Sequence, residues 1–481
     1  MSPSNLVLPR PALPEAHDAA VRPPLPGRTA RIICRSLPVG FFAVYAALSV
    51  LRHLHLQSTG FDLGIFEQAV RAYAEGRAPV SELKGPGFNL LGDHFHPVLA
   101  TLAPLYAACP SPLTLLIAQA ALLACSVVPV ARLGIRTLGV AAGTGIAVAY
   151  GLSFGLAQAA GFDFHEVAFA VPLLAFSLEQ LVRRRWVPAV AFAFPLVLVK
   201  EDLPLTVAAI GVHLVLQGRR RLGGAVVLGS AVILVLVIGV IVPAFNPGHT
   251  YTYLSSAGGD TTDPFSRLLL PATKWGTIAL LLAPTALLAL RSPLLLVAVP
   301  TLAWRFWSTT PSYWGTTAHY SAVLMPVVFI AFIDGLRRVR ASRPTAAGRR
   351  RLTGGAVAVS LLVTVCVLPF QPLSDLARTE TWRSDPQADA VRRVLARIPD
   401  GADVAASNRL APQLTGRTRV FLFPHYPGGP GARPQWVAVT DRPEDGPVTA
   451  EQEAGAMGRL ADRGYAAVAR GGGVTLYRAG S

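Results

Sequence analysis

Residues 222–244, LGGAVVLGSAVILVLVIGVIVPA, contain no charged side chain. A helix of roughly 20 such residues, rising ~1.5 Å per residue, crosses the ~30 Å hydrocarbon core of a bilayer. Residues 352–370 form a second run of this kind, and others follow at 32–54, 111–133, 139–160, 166–182, 187–199, 203–217, 275–290, 293–307 and 319–336. With 52% apolar and 15% charged residues in a chain of 481, a soluble fold has no use for so many apolar runs. The expectation is an all-α polytopic membrane protein with about eleven transmembrane helices.

Arginines give the expected sidedness. Arg28, Arg31 and Arg35 precede the first run, and Arg132 and Arg136 follow the second. Arg183–Arg185, Arg219–Arg221, Arg291 and the set from Arg337 to Arg351 come after the fourth, sixth, eighth and tenth. With eleven crossings all of these share the side of the N-terminus, which the positive-inside rule makes the cytoplasm. Arg52, Arg71, Arg77, Arg267 and Arg305 fall singly on the other side. Residues 1–31, polar and rich in Pro and Arg, read as a disordered cytosolic tail. The formal charge of +16 is accounted for by helix-flanking arginines meeting lipid headgroups, so nucleic acid is not an expected partner. Cys34, Cys109, Cys125 and Cys366 form neither a metal spacing nor a disulfide framework.

The acids and imidazoles fall opposite the arginines. The first outer loop, 55–110, carries Asp62, Glu67, Asp93, His94 and His96. GFDFHE supplies Asp163, His165 and Glu166 at the next outer turn, and KED supplies Lys200, Glu201 and Asp202 at the third. Asp260 and Asp263 occupy the fourth, and His319 closes the fifth. One outward-facing site assembled from several loops is the pattern. The run 187–199 is too short to span the bilayer, so the KED turn is expected below the outer surface. Ionisable groups there must face a water-filled cavity or each other, because lipid exposure costs several kcal/mol.

Within 61–74, Phe61, Ile65, Phe66, Ala69, Val70 and Tyr73 recur at helical spacing with Gly76 as a stop, predicting an amphipathic helix in the membrane interface. Asp62 at its start has two readings, helix cap or reacting carboxylate. Asp163 likewise has a capping alternative, and Glu67 a merely solvated one. The pair His94 and His96 binds metal only with borrowed ligands such as Asp62 or His165. Trp304, Phe306, Trp307, Tyr313, Trp314 and Tyr320 read as an interfacial aromatic belt, with stacking on sugar or lipid as the alternative. Beyond residue 370 the composition turns soluble. Helices at 386–397, 408–415 and 450–463 alternate with strands at 403–407, 419–423, 435–440, 465–470 and 474–478, predicting a small extracytoplasmic α/β domain over 371–481. It has no nucleophile motif or phosphate loop, so recognition or capping of the membrane site is its expected role.

FDLGIFEQAV, GDHFHP, FDFHEVAFAVPLL, KEDLPL and AHYSAVLMP together resemble the bacterial membrane family called domain of unknown function 2079, from about residue 40 to the end. That family is similar in layout to the C-type membrane glycosyltransferases, including the protein mannosyltransferases and lipid A aminoarabinose transferases, which take sugars from polyprenyl phosphate carriers. The resemblance implies an inverting transfer of a sugar from a polyprenyl-phosphate donor to an envelope glycan, lipid or protein at the plasma membrane. It implies Asp62 as catalytic base and Asp163 or Glu166 as the second acidic position, with Asp62 and Asp163 taken as the catalytic pair. Glu67, Asp93, His94, His96, His165, Glu166, Lys200, Glu201, Asp202 and His319 are the substrate-binding candidates. DHFH departs from the Asp-x-Pro-Pro-like sequence of many relatives, which leaves open a divalent metal such as Mg or Mn. Two other classes compete: a transporter, which would show internal repeats and midplane charges, and a non-catalytic envelope scaffold, which would tolerate alanine at Asp62, Asp93 and Asp163.

Overall fold

The structure, a computed structural model, describes residues 27–253, 263–427 and 433–480. Most of the tail expected over 1–31 and the acidic Asp260 lie outside the described residues, but the first helix already begins at Arg28. Helices occupy every apolar run named above. Four are long and apolar enough to cross a membrane: Arg28–Leu54, Pro112–Leu138, Arg220–Phe245 and Ala346–Phe370. Val140–Gly151 and Phe154–Ala160, bent by 45°, together make a fifth. Shorter apolar helices, among them Trp186–Leu198, Leu203–Leu216 and Pro293–Trp307, fill the spaces between them.

Local chemistry sets the helix starts. Ser111 accepts the Leu113 N–H at 3.2 Å, with Pro112 in the first helical position, where its missing donor costs nothing. Thr345 accepts the Gly348 N–H at 3.0 Å. Leu324–Ala341 is buried on all sides from Leu324 to Leu336, the mark of a central helix. Around it Tyr45 donates to the Gly151 carbonyl at 2.5 Å and Ser49 to that of Ala160 at 2.7 Å. These bonds satisfy polar groups that hydrocarbon cannot.

The arginine-bearing helix ends converge. Arg132 and Arg183 both reach Glu179, Arg337 and Arg338 reach Asp334, and Arg340 donates to the Thr137 carbonyl at 3.3 Å. The loops carrying the acids and imidazoles meet at the opposite ends of the same helices.

The C-terminal part forms a five-stranded sheet: β1 Asp403–Ala406, β2 Arg419–Leu422, β3 Trp436–Thr440, β4 Tyr465–Gly471 and β5 Val474–Ala479, in the order β2-β1-β3-β5-β4. β1 runs parallel to β2 and β3, while β3–β5 and β4–β5 are antiparallel. Helices Pro386–Leu395 and Ala450–Gly458 pack with it. Between β1 and β2, where a helix over 408–415 is expected, only Ala411–Gln413 is helical, as a single 3-10 turn.

The expected interfacial helix forms as Ile65–Ala74, and Gly76 ends it at φ +68°. Its polar side does not face the membrane surface. Gln68 donates to the Val420 carbonyl at 2.8 Å, and Arg71 to those of Thr415 and Thr418 at 3.2 Å. Leu63, Phe66, Tyr106 and Leu115 share one apolar core with Val404, Leu410, Leu414 and Val420. The C-terminal part thus sits on the loop 55–110. Periodicity reveals an apolar face but not what covers the polar one.

Candidate functional site

Asp62 belongs to a kinked turn, Gly60–Gly64. Phe61 (φ −87°, ψ 67°) and Asp62 (φ 166°, ψ −78°) have non-helical backbone angles within it. The turn is held from two directions. Asn408, just after β1, accepts the Gly60 N–H on its carbonyl at 2.7 Å and the Phe61 N–H on its side-chain oxygen at 2.8 Å. Asp163 accepts the N–H and hydroxyl of Thr59 at 2.8 and 2.7 Å. Gly60 is needed here, because a Cβ would lie 2.6 Å from that of Ala411.

The capping alternative for Asp62 does not hold: Gly64 is the cap of the following helix and no side chain bonds there. Asp62 is half-buried, and its carboxyl group makes no hydrogen bond or ion pair with any described residue. Burial pushes its carboxyl well above the usual range. Asp163 and Glu166 add to that, and Lys200 and Lys84 oppose it.

The neighbouring acids are paired. Glu166, fully buried, lies 3.0 Å from Lys200 Nζ and 2.8 Å from His165 Nδ1. Glu201 meets His94 Nδ1 at 2.6 Å and accepts the Phe95 N–H at 3.1 Å and the Tyr251 hydroxyl at 3.1 Å. Asp93 lies 2.7 Å from Lys84 Nζ and accepts the Tyr253 hydroxyl at 3.1 Å. Burial works against the ionised Asp93, yet His94 and Lys84 outweigh it and hold the acid below its usual range. For His94, burial is outweighed by Glu201, so its imidazole is raised. Asp202 differs from these acids in having no ion pair with any described residue; its Oδ1 is buried without a hydrogen-bond partner, as are both Glu166 oxygens, which Lys200 and His165 hold as ion pairs.

Two histidines stack in this region, and a third lies near them across Phe66. His165 and His319 lie face to face with centroids 3.4 Å apart, and Phe66 meets His165 and His96 edge-on at 5.2 and 5.7 Å. Burial drives His96 down to about 4, against the pull of Glu166. The loop 55–110, GFDFHE, KED and His319 therefore come together. Glu67 does not join them. It is fully buried under the C-terminal part, accepting hydrogen bonds from Tyr106 at 2.9 Å and from Thr415. Burial lifts it to about 7, despite those bonds.

Sequence reasoning missed Lys84, Tyr251, Tyr253, Thr59 and Asn408. Lys84 had a signal: the chain has only three lysines, and two of them lie in this cluster. Its ammonium also sits 5.1 Å from the centre of the Phe61 ring, beside Asp62. The others carry no local signal. The aromatic residues of the fifth loop surround cations instead of an open surface. Arg305 is fully buried and donates to the Tyr313, Gly315 and Tyr320 carbonyls, while Lys274 donates to those of Arg267 and Phe306. Among the described residues no three His, Cys, Asp or Glu side chains converge as a metal-ligand set.

Over residues 52–476 the chain matches the family described as "Predicted membrane protein (DUF2079)". It is a member of that family. No curated protein matches this family member. Its fold is similar to that of ArnT from Cupriavidus metallidurans bound to undecaprenyl phosphate, at TM-score 0.55 and 13% identity over 92% of this chain and 99% of that one. The apo form of the same ArnT is similar at TM-score 0.52, 13% identity and the same coverage. The DUF2079 chain is therefore a multi-pass membrane protein with an ArnT-like fold.

Proposed function

We propose that this protein transfers a sugar from a polyprenyl-phosphate donor to an envelope acceptor on the extracytoplasmic face of the plasma membrane. Its N-terminus is then cytoplasmic and its C-terminal part outside, as the arginine distribution requires. One observation carries the reading. Asp62 is a half-buried carboxylate with no hydrogen bond or ion pair from any described residue, beside acids that are almost all paired. A base must be free to take the acceptor proton as the anomeric carbon is attacked, and a raised pKa strengthens it for that role. The fold of a protein that binds undecaprenyl phosphate supports the donor class.

The other residues take roles according to their partners. Asp163 holds Thr59 and so positions the Asp62 turn from the membrane side, which makes it a positioning residue. Lys84 and Lys200 supply positive charge for the departing phosphate, while the Tyr251 and Tyr253 hydroxyls donate to Glu201 and Asp93 beside them. His94, Glu201 and Asp93 hold those cations and hydroxyls in register. The test is transfer from a radiolabelled polyprenyl-phosphate sugar by membranes containing Asp62→Asn at wild-type abundance. Loss of transfer is expected, and unchanged transfer would remove Asp62 from the mechanism. A deletion strain should accumulate the lipid-linked sugar, which identifies the donor.

A further inference from the structure

A cleft opens at the carboxyl ends of the parallel strands, against the segment that leads into Asp62. After β1 the chain goes to β2 on one side and then to β3 on the other, so the end of β1 is a topological switch point. In sheets of this kind the loops diverge there and leave a ligand crevice. The crevice is lined by Ser407, Asn408 and Arg409 after β1, Thr440 at the end of β3, and Glu444 and Glu453 beyond it, with Thr59 of the loop 55–110 completing the wall.

The wall is ordered by its own bonds. Ser407 donates to Glu453 and accepts the Thr440 N–H at 3.0 Å, and Arg409 donates to Glu444 at 2.7 Å. Asn408 is divided between two tasks. Its side-chain oxygen must face Phe61, because the Phe61 N–H is a donor. That leaves its NH2 group, beside Gly446 in the same wall, without a hydrogen bond to any described residue.

Three carboxylates (Glu444, Asp445 and Glu453) face one guanidinium here, so the lining disfavours phosphates and carboxylates. Many acceptor oxygens, one free amide donor and the apolar Leu422, Phe423 and Val448 suit a neutral ring with hydroxyls at its rim and C–H faces. We propose that this cleft binds the saccharide part of the acceptor, and that Asn408 links its occupancy to the Asp62 turn. The ligand's role as acceptor rests on the transferase reading, whereas its binding in the cleft does not.

The test uses the full chain in lipid nanodiscs, with methyl glycosides of neutral hexoses and pentoses as probes in saturation-transfer NMR. At least one glycoside should give a signal that falls five-fold or more in Glu444→Gln and Arg409→Ala, both altered at solvent-exposed side chains. The signal should persist in Asp62→Asn and in excess inorganic phosphate. Absence of signal from every glycoside, signals unaltered in both variants, or displacement by phosphate would each overturn the proposal. In the transfer assay Glu444→Gln should raise the acceptor KM with kcat within two-fold, and Asn408→Ala should lower kcat with thermal stability retained. Equal effects of the two variants on KM and kcat would overturn the link to Asp62. If Asp62→Asn instead leaves transfer intact, the transferase reading fails while the glycoside signal still decides the cleft.

Discussion

The two ends of the helical bundle treat carboxylates in opposite ways. At the arginine end, Glu179 is fully buried between Arg132 and Arg183, and Asp334 is held by Arg337, Arg338 and Ser292. Each acid there is neutralised by arginines, some of them one helical turn away. At the other end, some partners are local, such as His165 and Glu166, and others come from loops far apart in sequence, as with His94 and Glu201 or Asp93 and Tyr253. Asp62 is left there half-buried and without a side-chain partner, and Asp202 likewise lacks an ion pair among the described residues. Paired charges hold helices together, and a free charge can do chemistry. The difference separates acids with fixed partners from acids left open more clearly than residue type does.

The largest expected effect breaks this comparison at Asp62. Asp62→Asn should lower transfer by about 10²–10⁴-fold with little change in unfolding, the range for loss of a general base. Glu179→Gln should do the reverse. Activity per folded molecule should hold, while unfolding in bicelles shows a loss of about 2 kcal/mol, because half-buried guanidiniums lose their counter-charge. A strong loss of activity in folded Glu179→Gln protein would erase the distinction between the two ends.

Glu67 sharpens the comparison from the interface side. Its carboxyl is raised from 4.5 to about 7 in the folded chain. The folded state therefore holds a proton that the unfolded chain releases above pH 4.5. That contribution is complete below 4.5 and is lost as pH rises through 7. Glu67→Gln should accordingly stabilise the protein above pH 7 and not below 5, as read from thermal unfolding at the two pH values. The smallest effect belongs to Arg419, which meets Glu82 at 2.7 Å on the surface. Arg419→Ala should cost less than about 1 kcal/mol, and less still in high salt.

Much of the fold was legible because its signals are local. Apolar runs read out as helices, and the strands of the C-terminal part came within a residue or so of those expected, since alternation and turn residues act over short distances. The common placement of Asp62, Asp93, Asp163, Glu166 and Glu201 was legible from the arginine pattern. Their individual roles were not. Asp163 reads as a cap or a catalytic acid in sequence, and in space it holds Thr59. Glu67 reads as solvated, and in space it is closed over by Thr415 from nearly 350 residues away (a separation of 348).

By itself the sequence determined the membrane class, the helical and stranded segments, and the gathering of ionisable groups away from the arginines. Hydropathy and charge act residue by residue, so they can be read without coordinates. Only the tertiary structure decided which carboxylate stays unpaired, and that the C-terminal sheet grips the turn bearing it through Asn408. Pairing depends on which distant side chains arrive within about 3 Å, a distance no local pattern records.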